Sequence, residues 1–148
     1  MGILRKSTFL AGILTLAVFL GSHIAIFPQA VALGEVRVSK ITYRVLNDSL
    51  GTIRFHFLLE NISNGSILLS TSDFVLRKYG HNTVKANRNS GGFSANINNP
   101  IYDNRMYEFY PGDKVAVSLD FMTEDDNPSG WGLYFNKYDM LVRLGTID

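Results

Sequence analysis

The feature that most constrains the fold is a strict alternation of apolar and polar side chains that recurs along residues 33–148. The clearest example runs over 52–60, where the apolar positions are Ile53, Phe55, Phe57 and Leu59. A second runs over 114–121, where Val115, Val117, Leu119 and Phe121 point inward while Lys114, Ala116, Ser118 and Asp120 point outward. A period of two indicates strands with one buried face and one solvent-exposed face. These segments therefore predict a β-sheet protein.

The remaining apolar runs are short and are separated by turn residues such as Asn64-Gly65 and Pro111-Gly112. They give seven to nine strands spaced by about 8–12 residues, which is typical of an antiparallel sandwich or barrel. Val36 and Val38 are out of phase with Ile41, so a bulge is expected near Ser39-Lys40. The sequence predicts an all-β, immunoglobulin-like antiparallel sandwich preceded by one N-terminal hydrophobic helix.

The first 32 residues resemble an export segment. Arg5 and Lys6 precede an uncharged apolar run over 8–27, and Pro28 and the small residues 30–32 follow it. A basic start, an apolar stretch and an Ala-x-Ala site are the parts of a signal peptide, which predicts cleavage after Ala32. The domain boundaries predicted are thus 1–32 for the leader and 33–148 for the sandwich.

The alternative is a retained membrane anchor. Twenty residues of helix at about 1.5 Å each span about 30 Å, the thickness of a bilayer core. Both alternatives place residues 33–148 outside the cytoplasm, at the cell surface or in the extracellular space. They differ in whether the domain is free or tethered to a membrane.

The amino-acid composition excludes several classes of function. The chain has no cysteine, which excludes disulfides, thiolate metal sites and lipid attachment through cysteine. The formal net charge is +1, from 14 basic and 13 acidic residues, and only Arg5 and Lys6 precede residue 33, so residues 33–148 carry −1. A near-neutral domain is not expected to bind nucleic acid.

Several short motifs in the predicted strands and turns are familiar. They are Leu59-Glu60-Asn61-Ile62-Ser63-Asn64, then Ser72-Asp73-Phe74-Val75-Leu76 with Gly80, and later Pro111-Gly112-Asp113 before a strand that ends at Phe121. Over residues 36–144 they resemble a family of secreted immunoglobulin-like domains of unknown function, related in fold to the mycobacterial immunoprotective extracellular antigen. The resemblance implies a fold. It implies no catalytic residues and no cofactor.

No catalytic constellation emerges from the residue types, so the protein is not expected to be an enzyme. His56 is placed on the outward face of a strand and His81 in a turn, so a metal site would need them to meet across strands, and two solvated surface histidines are expected instead. The acidic run Glu124, Asp125 and Asp126 is a weak candidate for a calcium site, because it lacks the spaced acids and glycine of an EF-hand loop. A solvated acidic loop is the alternative.

Two loops, 86–100 and 122–130, are the expected recognition surfaces, because a rigid sandwich displays its loops for binding. The candidate contact residues are Phe93, Tyr102, Arg105 and Trp131. Aromatic and Arg side chains suit protein or glycan contacts, although a core position is the alternative for Trp131. The candidate glycosylation sites, each in an Asn-x-Ser sequence, are Asn47, Asn61 and Asn64.

These observations predict an exported, noncatalytic binding or accessory module with a protein or glycan partner. The alternative is a structural component of a surface appendage or envelope assembly, in which residues 8–27 stay as a transmembrane or packing helix. In that assembly, copies of the chain would associate through an open sheet edge.

Overall fold

The computed structural model describes residues 24–26, 30–46, 48–87, 91–94, 105–137 and 140–148. These residues form twelve strands and one turn of 3₁₀ helix at Thr71–Asp73. The strands are β1 Ile24–Ile26, β2 Val31–Leu33, β3 Val36–Val45, β4 Thr52–Asn61, β5 Ile67–Ser70, β6 Phe74–Arg77, β7 Val84–Lys85, β8 Gly91–Phe93, β9 Met106–Phe109, β10 Lys114–Met122, β11 Gly132–Lys137 and β12 Met140–Thr146. The predicted all-β class is confirmed, with more and shorter strands than the seven to nine expected.

Every strand pairing is antiparallel. The first sheet has the order β1-β3-β4-β10-β8, and β2 also pairs with β3. The second sheet has the order β12-β11-β6-β7, and β5 with β9 forms a small third sheet. Chain neighbours are often not sheet neighbours, because β4 pairs with β10 and β6 with β11.

The core lies between the first and second sheets. The alternating apolar residues of β4 and β10 are all buried, as the sequence predicts. Phe57 of the first sheet meets Phe74 of the second with ring centroids 4.9 Å apart, and Phe74 meets Phe135 at 5.5 Å. Tilted ring pairs at such distances are favourable beyond the area they bury. The two sheets are therefore joined by aromatic contacts.

The predicted break in β3 is confirmed. The pairing of β3 with β4 shifts register between Ser39 and Thr42, and Lys40 has φ +53°. This irregularity lets Val36 and Val38 before it and Ile41 and Tyr43 after it all point into the core.

The prediction of a hydrophobic helix over 8–27 is wrong for its last part. Residues 24–26 form β1 and pair with Thr42–Arg44 of β3. The predicted cleavage point after Ala32 falls inside β2, whose Leu33 is buried. The β-branched residues Ile24, Ile26 and Val31 have a high strand propensity, which favours pairing with the edge of a sheet. The earlier part of the predicted helix, residues 8–23, lies outside the described residues. Within the part of the chain that is described, no helix is long and apolar enough to cross a membrane.

The predicted loop 86–100 contains a strand. Residues 91–93 form β8, which pairs with Val117–Leu119 of β10. The backbones approach so closely that a side chain at Gly91, which has φ +78°, would place its Cβ 2.1 Å from the Ser118 carbonyl oxygen. Only glycine fits this position. Residues 88–90 and 95–100 lie outside the described residues.

Asp120 is on the outward side of β10, as predicted, yet it is only 4% exposed. It lies opposite Arg54 of β4, whose Nε and Nη2 donate to its two carboxylate oxygens at 2.6 and 2.8 Å. This bidentate pair raises the pKa of the Arg54 guanidinium. Alternation alone does not reveal such a pair, because the partner is 66 residues away.

Candidate functional site

The outer face of the second sheet carries a cleft of about 410 Å³, within the range of ligand sites. Its lining comes from the end of β6 and the turn after it, from β11 and the residue preceding Trp131, and from β12. We call it the cationic cleft and define it by Arg77, Lys78, Tyr79, Gly130, Gly132, Tyr134, Arg143 and Thr146. None of the described residues in this lining is acidic.

Strand register explains why the cleft exists. Gly132 of β11 lies between Arg77 of β6 and Thr146 of β12, and it contributes no side chain to the space between them. The ring of Tyr134 leans over this position. A Cβ on Gly132 would lie 2.8 Å from Cε2 of Tyr134 and 3.3 Å from the Gly145 carbonyl oxygen. The missing side chain thus leaves room for the Tyr134 ring, which covers the glycine and lines the cleft.

A register shift places the second arginine. The pairing of β11 with β12 is irregular between Leu133 and Tyr134, so that Tyr134 faces Arg143 rather than Leu144. Leu144 turns into the core, where it is 6% exposed, while Arg143 stays on the outer face. Bulges commonly re-aim side chains in this way.

Two guanidinium groups dominate the charge of the cleft. Arg77 and Arg143 are exposed, and within the described residues neither has a carboxylate at ion-pair distance. The Arg77 Cζ lies 5.9 Å from the centroid of the Tyr134 ring, a cation–π arrangement. Tyr79, at the end of the turn after β6, is fully exposed. The cleft therefore offers cations and flat aromatic faces side by side.

The third cation of the cleft, Lys78, is held by hydrogen bonds to the loop that forms one wall. Its Nζ donates to Asp125 Oδ2 at 2.7 Å and to the Asn127 carbonyl at 3.1 Å. Asp125 also accepts from Trp131 Nε1 at 3.2 Å and from the Asn127 backbone. The hydrogen bond from Lys78 is the main cause that lowers the pKa of Asp125 to about 2. These contacts fix the loop that holds Gly130.

Backbone hydrogen bonds of Ile147 hold the same wall in place. Gly130 N–H donates to the Ile147 carbonyl at 2.7 Å, and Ile147 N–H donates to the Trp131 carbonyl at 2.8 Å. The cleft is thus built on paired backbone rather than on a loose loop, and a rigid site loses less entropy when it binds a ligand.

Two of the four predicted contact residues are not at the surface. Trp131 is 1% exposed and packs against His81, with ring centroids 5.3 Å apart. Phe93 is 4% exposed and packs against Tyr107 and Phe109. These two rings are therefore not exposed as the expected aromatic platform requires, because burial stabilises large apolar rings more than exposure does. Arg105 is exposed, and Tyr102 lies outside the described residues.

The acidic loop is organised by side-chain-to-backbone hydrogen bonds. Asp125 is held by Lys78 and Trp131, whereas Glu124 and Asp126 are exposed. Across the described ranges, no three His, Cys, Asp or Glu side chains come together as metal ligands.

The three glycosylation candidates are in different environments. Asn64 is exposed, and Asn47 lies outside the described residues. Asn61 is 1% exposed, and its Nδ2 donates to the carbonyls of Gly65 at 2.7 Å and Phe109 at 3.1 Å. Its amide is therefore enclosed in the folded protein, and attachment of a glycan there would require both hydrogen bonds to break. The side chain ties the turn at Gly65 and the end of β9 to the end of β4.

Sequence reasoning missed the pairing of Arg77 and Arg143 around Tyr134. These residues are on three strands whose order in the sheet is β12-β11-β6, so no local spacing brings them together. The run Arg77-Lys78-Tyr79 before Gly80 was the available signal.

Comparison with known proteins gives a distant structural match. No family model matches the chain, and no curated protein matches it. Among solved structures, the crystal structure of the yjhA protein from Bacillus subtilis superimposes with a TM-score of 0.49 at 16% identity, covering 79% of this chain and 82% of that one.

Proposed function

We propose that this chain is an exported, noncatalytic binding module whose immunoglobulin-like sandwich presents the cationic cleft to a partner outside the cell. The observation that carries the proposal is that one concave surface holds an exposed tyrosine and two exposed guanidinium groups, with no ion-pair partner for either guanidinium and no acid in the lining among the described residues. Exposed charges without internal partners contribute little to folding and are typical of binding surfaces.

The lining favours binding over catalysis. Its described residues include no carboxylate, histidine or thiol, the groups that most often serve as acid, base or nucleophile. This cleft also replaces loop 86–100 as the recognition surface in the proposal, while one end of loop 122–130 still borders it through Gly130.

The alternative, a tethered component of a surface assembly, gains support from β1 and β2. Both strands lie within the predicted leader and pair with β3, so removal of residues 1–32 would take away β1 and two of the three residues of β2. We propose that residues from 24 onward stay with the domain, whether or not a more N-terminal part is removed. N-terminal mass analysis of the native protein tests this. A start at Leu33 would contradict it.

The binding proposal is tested with the purified full chain and envelope fragments from its source organism. The Arg77→Ala/Arg143→Ala variant should lose most of the binding, more than about tenfold in apparent Kd, because charge-assisted contacts are strong. The matched control is Arg44→Ala/Lys85→Ala, which removes two exposed cations outside the cleft. Equal losses in both variants, or none in either, would refute the cleft as the binding site.

A further inference from the structure

We propose that the ligand of the cationic cleft is a carboxylated polysaccharide, a chain of uronic acid sugars. This inference rests on the proposed function and names the class of ligand for the same site. It depends on three features of the cleft: where the two guanidinium groups sit, which aromatic faces are open, and what the lining lacks.

The positions of the arginines favour a polymer over a single small anion. Arg77 is on β6 and Arg143 on β12, the two neighbours of β11, and they are offset along β11 because one faces Gly132 and the other Tyr134. Strands spaced by about 4.8 Å put their backbones about 10 Å apart across the sheet. A guanidinium binds a carboxylate through two parallel hydrogen bonds. Two such groups carried by the strands on either side of β11 suit carboxylates on different units of one chain.

The tyrosines favour sugars over other anions. The negative face of an aromatic ring attracts the weakly positive C–H groups that cover one side of a sugar ring. Tyr79 is fully exposed and offers its ring to a ligand, while the half-buried Tyr134 lines the cleft with the Arg77 guanidinium over its ring. Gly132 leaves the position between Arg77 and Thr146 to the Tyr134 ring, so the floor of the cleft is aromatic there.

The lining argues against an acidic peptide or nucleic acid. A peptide would also bring apolar side chains that need an apolar pocket, and among the described residues of the lining none is aliphatic. Nucleic acid binding depends on many phosphate contacts, whereas two free guanidinium groups and a net charge of +1 for the chain offer few.

The experiment measures binding of the full chain to four polymers by biolayer interferometry. They are polygalacturonate, alginate, polygalacturonate whose carboxylates have been reduced to alcohols, and poly-glutamate. We expect binding to at least one of the uronic acid polymers, with affinity falling by more than about tenfold on carboxyl reduction and by a similar factor in Arg77→Ala/Arg143→Ala. Poly-glutamate should bind weakly or not at all.

Variants of Tyr79 separate ring stacking from folding. Tyr79→Ala should weaken binding to the uronic acid polymer about three- to tenfold, whereas Tyr79→Phe keeps the ring and should bind like the parent. Because Tyr79 is fully exposed, neither change should shift the thermal midpoint. Equal binding of Tyr79→Ala and the parent would overturn the role of sugar stacking.

Other outcomes decide between this inference and the proposed function. Equal binding of the reduced polymer, equal binding of poly-glutamate, or no binding of either uronic acid polymer would each overturn the ligand class. If envelope binding still required Arg77 and Arg143 in that case, the binding module would stand with another ligand. If envelope binding were also independent of the cleft, both proposals would fail.

Discussion

At the scale of single residues, Asn61 shows how one amide can organise a region. Its side chain bonds two carbonyls and accepts from Ser63, while its backbone pairs with Gly112 and Asp113. Asn61→Ala would leave the buried Phe109 carbonyl without this donor, at a cost of about 1–3 kcal/mol in the free energy of unfolding. Urea denaturation measures the loss. The control, Asn64→Ala in the same exposed turn, should change stability by less than about 0.5 kcal/mol; comparable effects would contradict the assignment.

Asp125 gives a prediction for acid stability. Its hydrogen bonds, chiefly the one from Lys78 and then those from the Asn127 backbone and Trp131, lower its folded-state pKa to about 2 from an ordinary 3.8. Its contribution is therefore fully present above about pH 4 and is lost as the pH falls towards 2. Urea unfolding measured between pH 2 and 6 should show a shallower pH dependence in Asp125→Asn than in the parent. The matched change Asp126→Asn, at an exposed neighbour, should leave the slope unaltered. An identical slope in Asp125→Asn would show that the Lys78 contact does not stabilise the folded state.

At the scale of elements, the N-terminal strands determine whether β3 has an open edge. A chain that starts at Leu33 lacks β1 and most of β2, whereas one that starts at His23 keeps both. We expect the free energy of unfolding of the shorter chain to be lower by about 2–4 kcal/mol, because several backbone hydrogen bonds of about 1 kcal/mol each are lost. It should also self-associate, because unpaired edges recruit other strands. Denaturation and sedimentation measure these effects, and equal stability of the two chains would show that β1 and β2 are dispensable.

Strand β8 tests close backbone approach. Gly91→Ala combines a positive φ with a clash against the Ser118 carbonyl, whereas Gly112→Ala has φ +81° and nothing within 4 Å. Positive φ alone costs about 1–2 kcal/mol for a residue with a Cβ. We therefore expect Gly112→Ala to lose about that much and Gly91→Ala distinctly more, as measured by urea denaturation. Similar losses would mean that β8 can move away from β10 at little cost.

At the scale of the whole molecule, what could be predicted from sequence follows the range of the interactions. The strands β4 and β10 and the break at Lys40 depend on alternation, which is a local property. Local patterns do not determine sheet order, so they could not place Arg77 and Arg143 around Tyr134. They also do not separate an apolar helix from an apolar strand, and for this reason the apolar run predicts a helix where β1 lies.

The aromatic contacts between the sheets predict that the molecule unfolds as one unit. Phe74 is fully buried and touches Phe57 of the first sheet and Phe135 of the second. Phe74→Ala should lower the free energy of unfolding by about 3–5 kcal/mol, and the loss should reach both sheets. The fluorescence of Trp131, the only tryptophan, reports on the start of β11, while far-UV circular dichroism reports on all strands. The two urea transitions should coincide in the parent and shift together in the variant. Separate transitions would instead mean that the sheets hold together independently, and that the cationic cleft depends on the second sheet alone.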